Sequence, residues 1–344
     1  MTGICTVAAL VLGAPLDAQP QGDTPGPASF AIYNLGTLGG SVSSGNAINN
    51  LGWVLGNANL AGDQATHATV WIGGVKADLG TLGGANSVVE WPVHNVRGVI
   101  SGAAETADVD VLQEAWSCSA FFPAPPTLHV CRAFRYFAGS MSPLPTLGGI
   151  NGYGAGVNGR GDIVGWAETA VHDPSCVAPQ VLQFEAVEGR ADGSVHELPP
   201  YAGDQDGAAT AINDRGEAVG ISGTCDVAVG AGTARHALIW RNAVPTVIPT
   251  FGGQGWNTPT DINVFGQVVG FADIPDDVSG GVLTPFPLPL GFIWSAAAGT
   301  VKIAPLPGDL FAIAYAINDW GAVVGQSFGG PEGSRAIIWE NGRS

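Results

Sequence analysis

A pattern of apolar and polar positions recurs six times along the chain. Each copy reads as an apolar residue, Asn, two variable residues, Gly, a variable residue, two mostly apolar residues and Gly. The first residues of the copies are Ile48, His94, Val157, Ile212, Ile262 and Ile317. Successive asparagines lie 46 to 63 residues apart. Such a period is typical of one propeller blade built from four short strands.

Each repeat predicts four strands, which we name A to D in chain order. Strand A ends at the asparagine, and the Asn-x-x-Gly segment turns the chain into strand B. In this turn the Asn side chain bonds nearby backbone, and Gly adopts the left-handed conformation. Strand C is an alternating apolar segment such as 67–71. A short strand D such as 75–79 leads into a glycine-rich turn such as Leu79–Gly84.

The strands also predict how the repeats close. Six strands of each type A, B and C are recognisable, but only five strands D follow a strand C. Residues 29–35, directly before the first glycine-rich turn, supply the missing strand. A ring completed in this way has no open sheet edge. We therefore predict an all-β fold, a six-bladed β-propeller of four-stranded antiparallel blades. It spans residues 29–344 as one domain, and an N-terminal strand completes the last blade.

Composition agrees with this fold. The chain has 344 residues, of which 46% are apolar and 52 are glycine. The glycine share is about twice the usual one. The apolar content excludes disorder. The pattern of apolar positions excludes a helical bundle, and the lack of a Gly-X-Y period excludes collagen. The net charge of −17 argues against nucleic-acid partners and anionic membranes, because both need clustered Lys and Arg.

The N-terminus resembles an export signal. An apolar run of 13 residues spans 4–16, which is too short for a membrane helix and suits a signal-peptide core. We predict a signal peptide over residues 1–18, cleaved after Ala18, and a linker over 19–28. A short buried segment of a cytosolic protein is the alternative. No integral membrane segment is predicted, and we expect a monomer.

Four cysteines remain after that cleavage: Cys118, Cys131, Cys176 and Cys225. They allow three pairings. Cys118 and Cys131 form the natural local pair, and Cys176 and Cys225 would then join neighbouring repeats. Zinc binding is the competing interpretation, but no Cys-x-x-Cys pair is present. Disulfides agree with export.

The repeats resemble those of the HAF-repeat family of bacterial extracellular proteins. The specific portions are Gly-Thr-Leu-Gly-Gly and Ile-Asn-x-x-Gly-x-Val-Val-Gly, and the match covers residues 30–340. No copy preserves the name-giving His-Ala-Phe triplet in full, and His236-Ala237-Leu238 is among the nearest copies. In the third repeat we place Leu182-Gln183-Phe184 at the triplet position. The resemblance implies secretion and a repeat architecture, and it implies no catalytic residues.

The variable loops predict where a ligand binds. In a propeller the B–C and D–A loops share one end, which we call the loop face. The B–C loops vary greatly and span 57–66, 103–130, 167–180, 222–234, 271–290 and 326–333. Because function concentrates on variable loops of a rigid scaffold, we expect the site there.

Aromatic and acidic residues are the candidates at this face, since aromatic rings with nearby acceptors hold sugars. We assign ligand binding to Trp91, Trp166, Trp256, Phe271, Tyr153 and His94. The competing interpretation is that the aromatic residues pack the loops and the acids solvate them.

Metal and catalytic candidates are fewer. Asp204-Gln205-Asp206-Gly207 has the alternating acids of a calcium loop but lacks the distant Glu, so Ca²⁺ is a weak expectation and no other cofactor is expected. Asp261 and His94 break the repeat on strand A, the innermost strand. For an enzyme, Asp261, Glu168 and Glu105 are the candidate catalytic acids, although a carboxylate pair needs a defined separation.

The leading hypothesis is a secreted propeller that binds a glycan or protein ligand. The alternatives are a glycosidase or polysaccharide lyase that uses loop-face carboxylates, and an architectural surface protein. An enzyme needs converging carboxylates, at least one of them buried, in a pocket over the channel, whereas a binding module can have scattered, exposed acids and an aromatic platform.

Overall fold

The computed structural model describes residues 32–90, 98–114, 121–225, 233–253, 255–274, 289–340 and 342. The chain divides into two compact units, Met1–Asn34 and Leu35–Ser344. The predicted signal peptide (1–18) and linker (19–28) lie outside the described residues. The described residues contain no helix of membrane-spanning length and hydropathy.

Twenty-three strands form six antiparallel sheets within the described residues, one sheet per repeat. Blade 1 contains β1 (Gly39–Ile48), β2 (Val54–Leu60), β3 (Thr66–Ile72) and β4 (Val75–Asp78). Blade 2 contains β5 (Gly83–Val88), β6 (Ile100–Val109), β7 (His129–Phe137) and β8 (Ser140–Pro143). Blade 3 contains β9 (Gly148–Val157), β10 (Ile163–His172), β11 (Leu182–Gly189) and β12 (Val195–Leu198).

Blade 4 contains β13 (Asp206–Ile212), β14 (Glu217–Gly223), β15 (His236–Arg241) and β16 (Val244–Ile248). Blade 5 contains β17 (Asn257–Ile262), β18 (Val268–Ala272), β19 (Leu290–Ser295) and β20 (Gly299–Ile303). Blade 6 contains β21 (Phe311–Ile317), β22 (Val323–Gly330) and β23 (Gly333–Trp339). The blades form a ring, so the predicted six-bladed β-propeller is confirmed.

The sixth sheet has three strands among the described residues. Ser29–Ala31 of the predicted closing strand lie outside those residues, and 32–35 are described but are not in a strand. The closing strand therefore stays a prediction. Blades 1 and 6 are also less buried than the others: Val324 and Ile338 are 46% and 47% exposed, whereas their counterparts Val219 and Ile239 in blade 4 are fully buried.

The core lies between successive blades. Between blades 3 and 4, for example, Leu198, Ile212, Leu238 and Trp240 pack together with buried alanines. Alternate residues of a strand point to opposite faces, so Ile239 packs on the other side of blade 4, against blade 5. Both faces of these sheets are apolar for this reason, which explains the scarcity of charge.

The asparagine turns form as predicted. In blade 3 the Asn158 side-chain oxygen accepts hydrogen bonds from the backbone N–H groups of Arg160 and Asp162, both at 3.0 Å. The Asn158 side-chain amide donates to the backbone oxygen of Asn213, one blade further on, at 3.3 Å. The predicted local role is confirmed for the five described asparagines, and the structure adds a link between neighbouring turns; Asn95 lies outside the described residues.

The ladder register corrects the alignment of the third repeat. Gly165 pairs with Val187 as Gly220 pairs with Leu238. The triplet position in blade 3 is therefore occupied by Glu185-Ala186-Val187, and the assignment to Leu182-Gln183-Phe184 was wrong. Phe184 resembles the last residue of the triplet by its type alone. Strand pairing instead places Ala186 where Ala237 lies in blade 4.

Candidate functional site

The loops of blades 2 to 4 are covalently anchored at the loop face. Cys176, in the loop after β10, forms a disulfide with Cys225, which follows β14, so the bond joins blades 3 and 4 as predicted. Cys131 on β7 is also disulfide-bonded. Cys118, its predicted partner, lies outside the described residues.

The candidate catalytic acids Glu105 and Glu168 each hold the start of strand A in their own blade. Glu168 accepts the backbone N–H groups of Ile150 and Asn151 at 3.1 and 2.7 Å. Glu105 accepts those of Ala85 and Asn86 at 3.1 and 3.0 Å. Both side chains are at most 2% exposed. Each of these carboxylates therefore accepts backbone N–H groups of its own blade.

This arrangement explains the last glycine of the Gly-Thr-Leu-Gly-Gly turn. A Cβ atom on Gly149 would lie 2.4 Å from the Cβ of Glu168, and one on Gly84 would lie 2.4 Å from that of Glu105. In blade 5 a Cβ on Gly253 would lie 2.2 Å from the Cγ of Asp273. The turn glycine and the acid thus form one repeated unit, which the sequence shows only as two separate marks.

The third catalytic candidate, Asp261, is 4% exposed and bonds backbone as well. Its carboxylate accepts the N–H of Ile262 at 2.8 Å and the N–H of Ile317, on blade 6, at 2.9 Å. Asp261 therefore connects blades 5 and 6. His94, the other residue that breaks the strand A pattern, lies outside the described residues.

A second network of buried acids crosses from blade 2 to blade 3. Glu114 is fully buried, and one oxygen accepts the N–H groups of Val181 and Leu182 at 2.6 and 2.5 Å. The Asn151 side chain donates to Asp110 at 3.0 Å and to Glu168 at 3.3 Å. These bonds fix the loop at 110–114 against the start of β11.

Burial is the main reason why this network has perturbed acidities. It raises the pKa of Glu114 to about 7, and the charges of Glu168 and Asp110 add to the rise, while the two backbone donors oppose it. Burial also raises the pKa of Glu168. The other Glu114 oxygen has no hydrogen-bond partner among the described residues. The ionised network is therefore costly at neutral pH.

Glu114→Gln is expected to make the stability of the protein less dependent on pH. A carboxyl group whose pKa is raised by folding stabilises the folded state fully below its unfolded value, near 4.5, and this contribution is lost as the pH rises through about 7. The difference in unfolding free energy, variant minus wild type, should therefore rise by about 2 kcal/mol when the pH is raised from 5 to 8. Urea unfolding at both pH values measures this, with the exposed Glu340→Gln as control. Parallel pH profiles for wild type and Glu114→Gln would contradict it.

Sequence reasoning missed Glu185 because the third repeat was misaligned. Glu185 occupies the position of His236, and its pKa is raised to about 8 by burial and by the adjacent carboxylates of Glu197 and Asp206. His236 instead contacts Asp204 at 2.7 Å. A repeat position that holds a histidine in blade 4 thus holds a glutamate in blade 3.

The calcium candidates Asp204 and Asp206 have different protein partners. Asp204 accepts from the Ser222 hydroxyl at 2.6 Å and pairs with His236. Asp206 is fully buried and accepts the N–H of Phe184 at 3.0 Å. An oxygen of Asp206 also lies within 4.8 Å of the sulfurs of Cys176 and Cys225. Calcium binding by this pair stays a prediction.

The aromatic ligand-binding candidates pack inside the protein. Tyr153, Trp166 and Phe271 are 6%, 9% and 2% exposed. The Trp166 ring contacts Phe184 at 5.4 Å, and the Trp256 ring meets Phe271 edge to face at 5.2 Å. Trp91 lies outside the described residues. The burial of Tyr153, Trp166 and Phe271 agrees with the competing interpretation, in which the aromatic residues pack the loops, and ligand binding by the candidates stays a prediction.

Other apolar side chains are exposed on the loop face of blades 2 to 4. We call them the loop-face apolar surface: Val109, Val111, Phe121, Leu128, Val171, Val177 and Tyr201, which are 37% to 81% exposed. Leu128 accepts a backbone bond from Asp110 at 2.9 Å, and Phe121 packs on Tyr153 at 5.9 Å. Most members are aliphatic, and a search of the sequence for aromatic and acidic residues passes over them.

Comparison with models of protein families gives no match for this chain, and comparison with curated proteins gives none either.

Proposed function

We propose that this protein is an exported binding module that holds a protein ligand on its loop-face apolar surface. The observation that carries the proposal is an exposed, mainly aliphatic surface on loops anchored by a disulfide and by the buried Glu114 network. Exposed apolar patches on a rigid scaffold are typical of protein interfaces. Sugars are held by exposed aromatic faces, and three of the aromatic candidates, Tyr153, Trp166 and Phe271, are buried, so a protein ligand is favoured over a glycan.

Export is part of the same proposal. The predicted signal peptide, the resemblance to HAF repeats and the disulfides at Cys131 and Cys176–Cys225 support it. The anchoring also has an energetic role. Loops that are ordered before binding lose less conformational entropy when the ligand is bound.

The test compares wild-type protein with the variant Val111→Ser, Val171→Ser, Val177→Ser. The wild-type protein is immobilised, and surface proteins of the producing cells that bind to it are purified. Calorimetry then measures the Kd of each for the wild type and for the variant. The three valines would be buried in the complex, so their loss should weaken binding by about tenfold or more. The control variant Val75→Ser, Val244→Ser changes residues that are 72% and 62% exposed at the opposite end of the blades, and it should bind like the wild type.

Three outcomes would overturn the proposal. They are equal binding by the valine variant and the wild type, binding to a glycan array that the variant retains, and turnover of a polysaccharide. The last outcome would restore the glycosidase or lyase hypothesis.

A further inference from the structure

The asparagine turns lie at the end of the propeller opposite the loop face, and we call this end the turn face. In blades 3 and 4 the residue before the turn glycine is an arginine. Arg160 bonds Asp162 at 2.8 Å, and Arg215 bonds Glu217 at 2.5 Å. Each acid lies two residues after its arginine. These two turns are therefore charged and internally ion-paired.

The same position is apolar and exposed in blades 5, 6 and 1. Phe265 is 67% exposed, Trp320 is 91% exposed and Leu51 is 68% exposed. We call these three residues the apolar turn surface. Two residues further on, where blades 3 and 4 have the paired acid, these blades have Gln267, Ala322 and Trp53. The ion pair is thus replaced as a unit by uncharged residues.

The backbone of these turns is satisfied from within. The Asn318 side-chain oxygen accepts the N–H groups of Trp320 and Ala322 at 3.0 and 2.9 Å, and its backbone oxygen accepts that of Gly321 at 3.0 Å. Asn263 and Asn49 make the corresponding bonds in blades 5 and 1. These N–H groups would stay paired outside water, where an unpaired polar group is costly.

Neighbouring turns also hold each other in place. The Asp319 carboxylate accepts the N–H of Val264 at 3.1 Å, and the Asn263 side-chain amide donates to the backbone oxygen of Asn318 at 3.1 Å. Phe265 and Trp320 are therefore presented side by side on rigid turns. Ile48, which precedes the turn of blade 1, adds apolar surface because it is 67% exposed, whereas Ile262 and Ile317 at the same position are buried.

We propose that the apolar turn surface inserts into the interfacial layer of a lipid bilayer. Trp and Phe favour this layer, and apolar side chains on one face of a protein anchor it there. The net charge of −17 and the lack of a Lys or Arg in these three turns favour zwitterionic over anionic lipid. A protein partner is less favoured, because protein interfaces combine apolar anchors with polar and charged contacts, and these three turns have lost their ion pairs.

Sedimentation with phosphatidylcholine vesicles tests this proposal on the full mature chain. We expect the wild type to bind, with an affinity that is insensitive to added NaCl and is reduced when phosphatidylserine is included. The variant Leu51→Ser, Phe265→Ser, Trp320→Ser should bind about tenfold more weakly or worse. Unchanged thermal midpoints would show that the exposed substitutions leave the fold intact.

The loop-face variant Val111→Ser, Val171→Ser, Val177→Ser is the matched control and should bind vesicles like the wild type. The two proposals concern opposite ends of the propeller, so either can fail alone. Absence of vesicle binding by the wild type, or equal binding by the turn variant, would overturn the lipid proposal. A turn variant that changes only self-association or capture of a protein would overturn it in favour of a protein interface.

Discussion

Replacing Cys176 and Cys225 together with alanine is expected to lower the unfolding free energy by about 4 kcal/mol. The disulfide joins residues 49 apart in sequence, so its removal returns conformational entropy to the unfolded chain. The thermal midpoint should fall by roughly 6 °C. Urea unfolding under oxidising conditions measures the loss. Binding through the loop-face apolar surface should weaken as well, because Val171 and Val177 lie in the segment that the disulfide anchors.

Reducing agent provides the control for this experiment. The reduced wild type should become no more stable than the reduced variant, and any stability that the variant itself loses on reduction reports the disulfide of Cys131. A double variant within about 1 kcal/mol of the oxidised wild type would contradict the expected role of this disulfide.

Gly220→Ala is expected to destabilise the protein by about 3 kcal/mol, because the new methyl group has no room. A Cβ atom there would lie 2.1 Å from the backbone oxygen of Ala208 and 2.7 Å from the Cα of Ala209. Strand A is irregular opposite this glycine, with a register shift between Ala209 and Ala211. Both obstacles are backbone atoms, so they can move only if the sheet distorts. Thermal and urea unfolding measure the effect.

The control is Gly193→Ala, in the hairpin between β11 and β12. Gly193 has a φ of +88° and no atom near its Cβ position. That substitution carries only the conformational cost of about 1 kcal/mol. Equal losses for the two variants would show that close approach is not what selects Gly220.

The same close approach recurs in all six blades. The closest backbone oxygen would lie 1.8 to 2.2 Å from a Cβ at each glycine that ends the repeat pattern. The six positions are Gly56, Gly102, Gly165, Gly220, Gly270 and Gly325. The repeat marks these glycines in the sequence, and in blades 1, 3, 4, 5 and 6 a register shift of strand A lies next to the glycine.

Features that depend on neighbouring residues were predicted well. The Asn158 turn is confirmed because its hydrogen bonds span at most four residues. Joining of neighbouring repeats by Cys176 and Cys225 is confirmed, because an even number of cysteines and a loop with its own pair leave few alternatives. The triplet of blade 3 was misplaced because the sequence was matched by residue type. The position of a residue in the blade depends on the register of the strands, which only strand pairing sets.

Features that depend on which side chains face solvent were not predicted. Trp166 and Phe271 have the residue types of a sugar site, but both pack between blades. Glu105 and Glu168 are candidate catalytic acids in the sequence, yet each bonds the backbone at the start of strand A in its own blade. Exposure and the direction of a carboxylate follow from packing between elements far apart in the chain.

The sequence by itself determined the six-fold repeat, the four-stranded blade, the turn at each asparagine and the end of the propeller where loops vary. Periodicity and turn chemistry are local, so one chain is enough to read them. Only the tertiary structure decided that Tyr153, Trp166 and Phe271 are buried, that the candidate acids hold backbone, and that apolar side chains are exposed at both ends. Those properties are set by the ring, because neighbouring blades bury most of the inner strand residues of blades 2 to 5, whereas loops, turns and parts of blades 1 and 6 contact solvent.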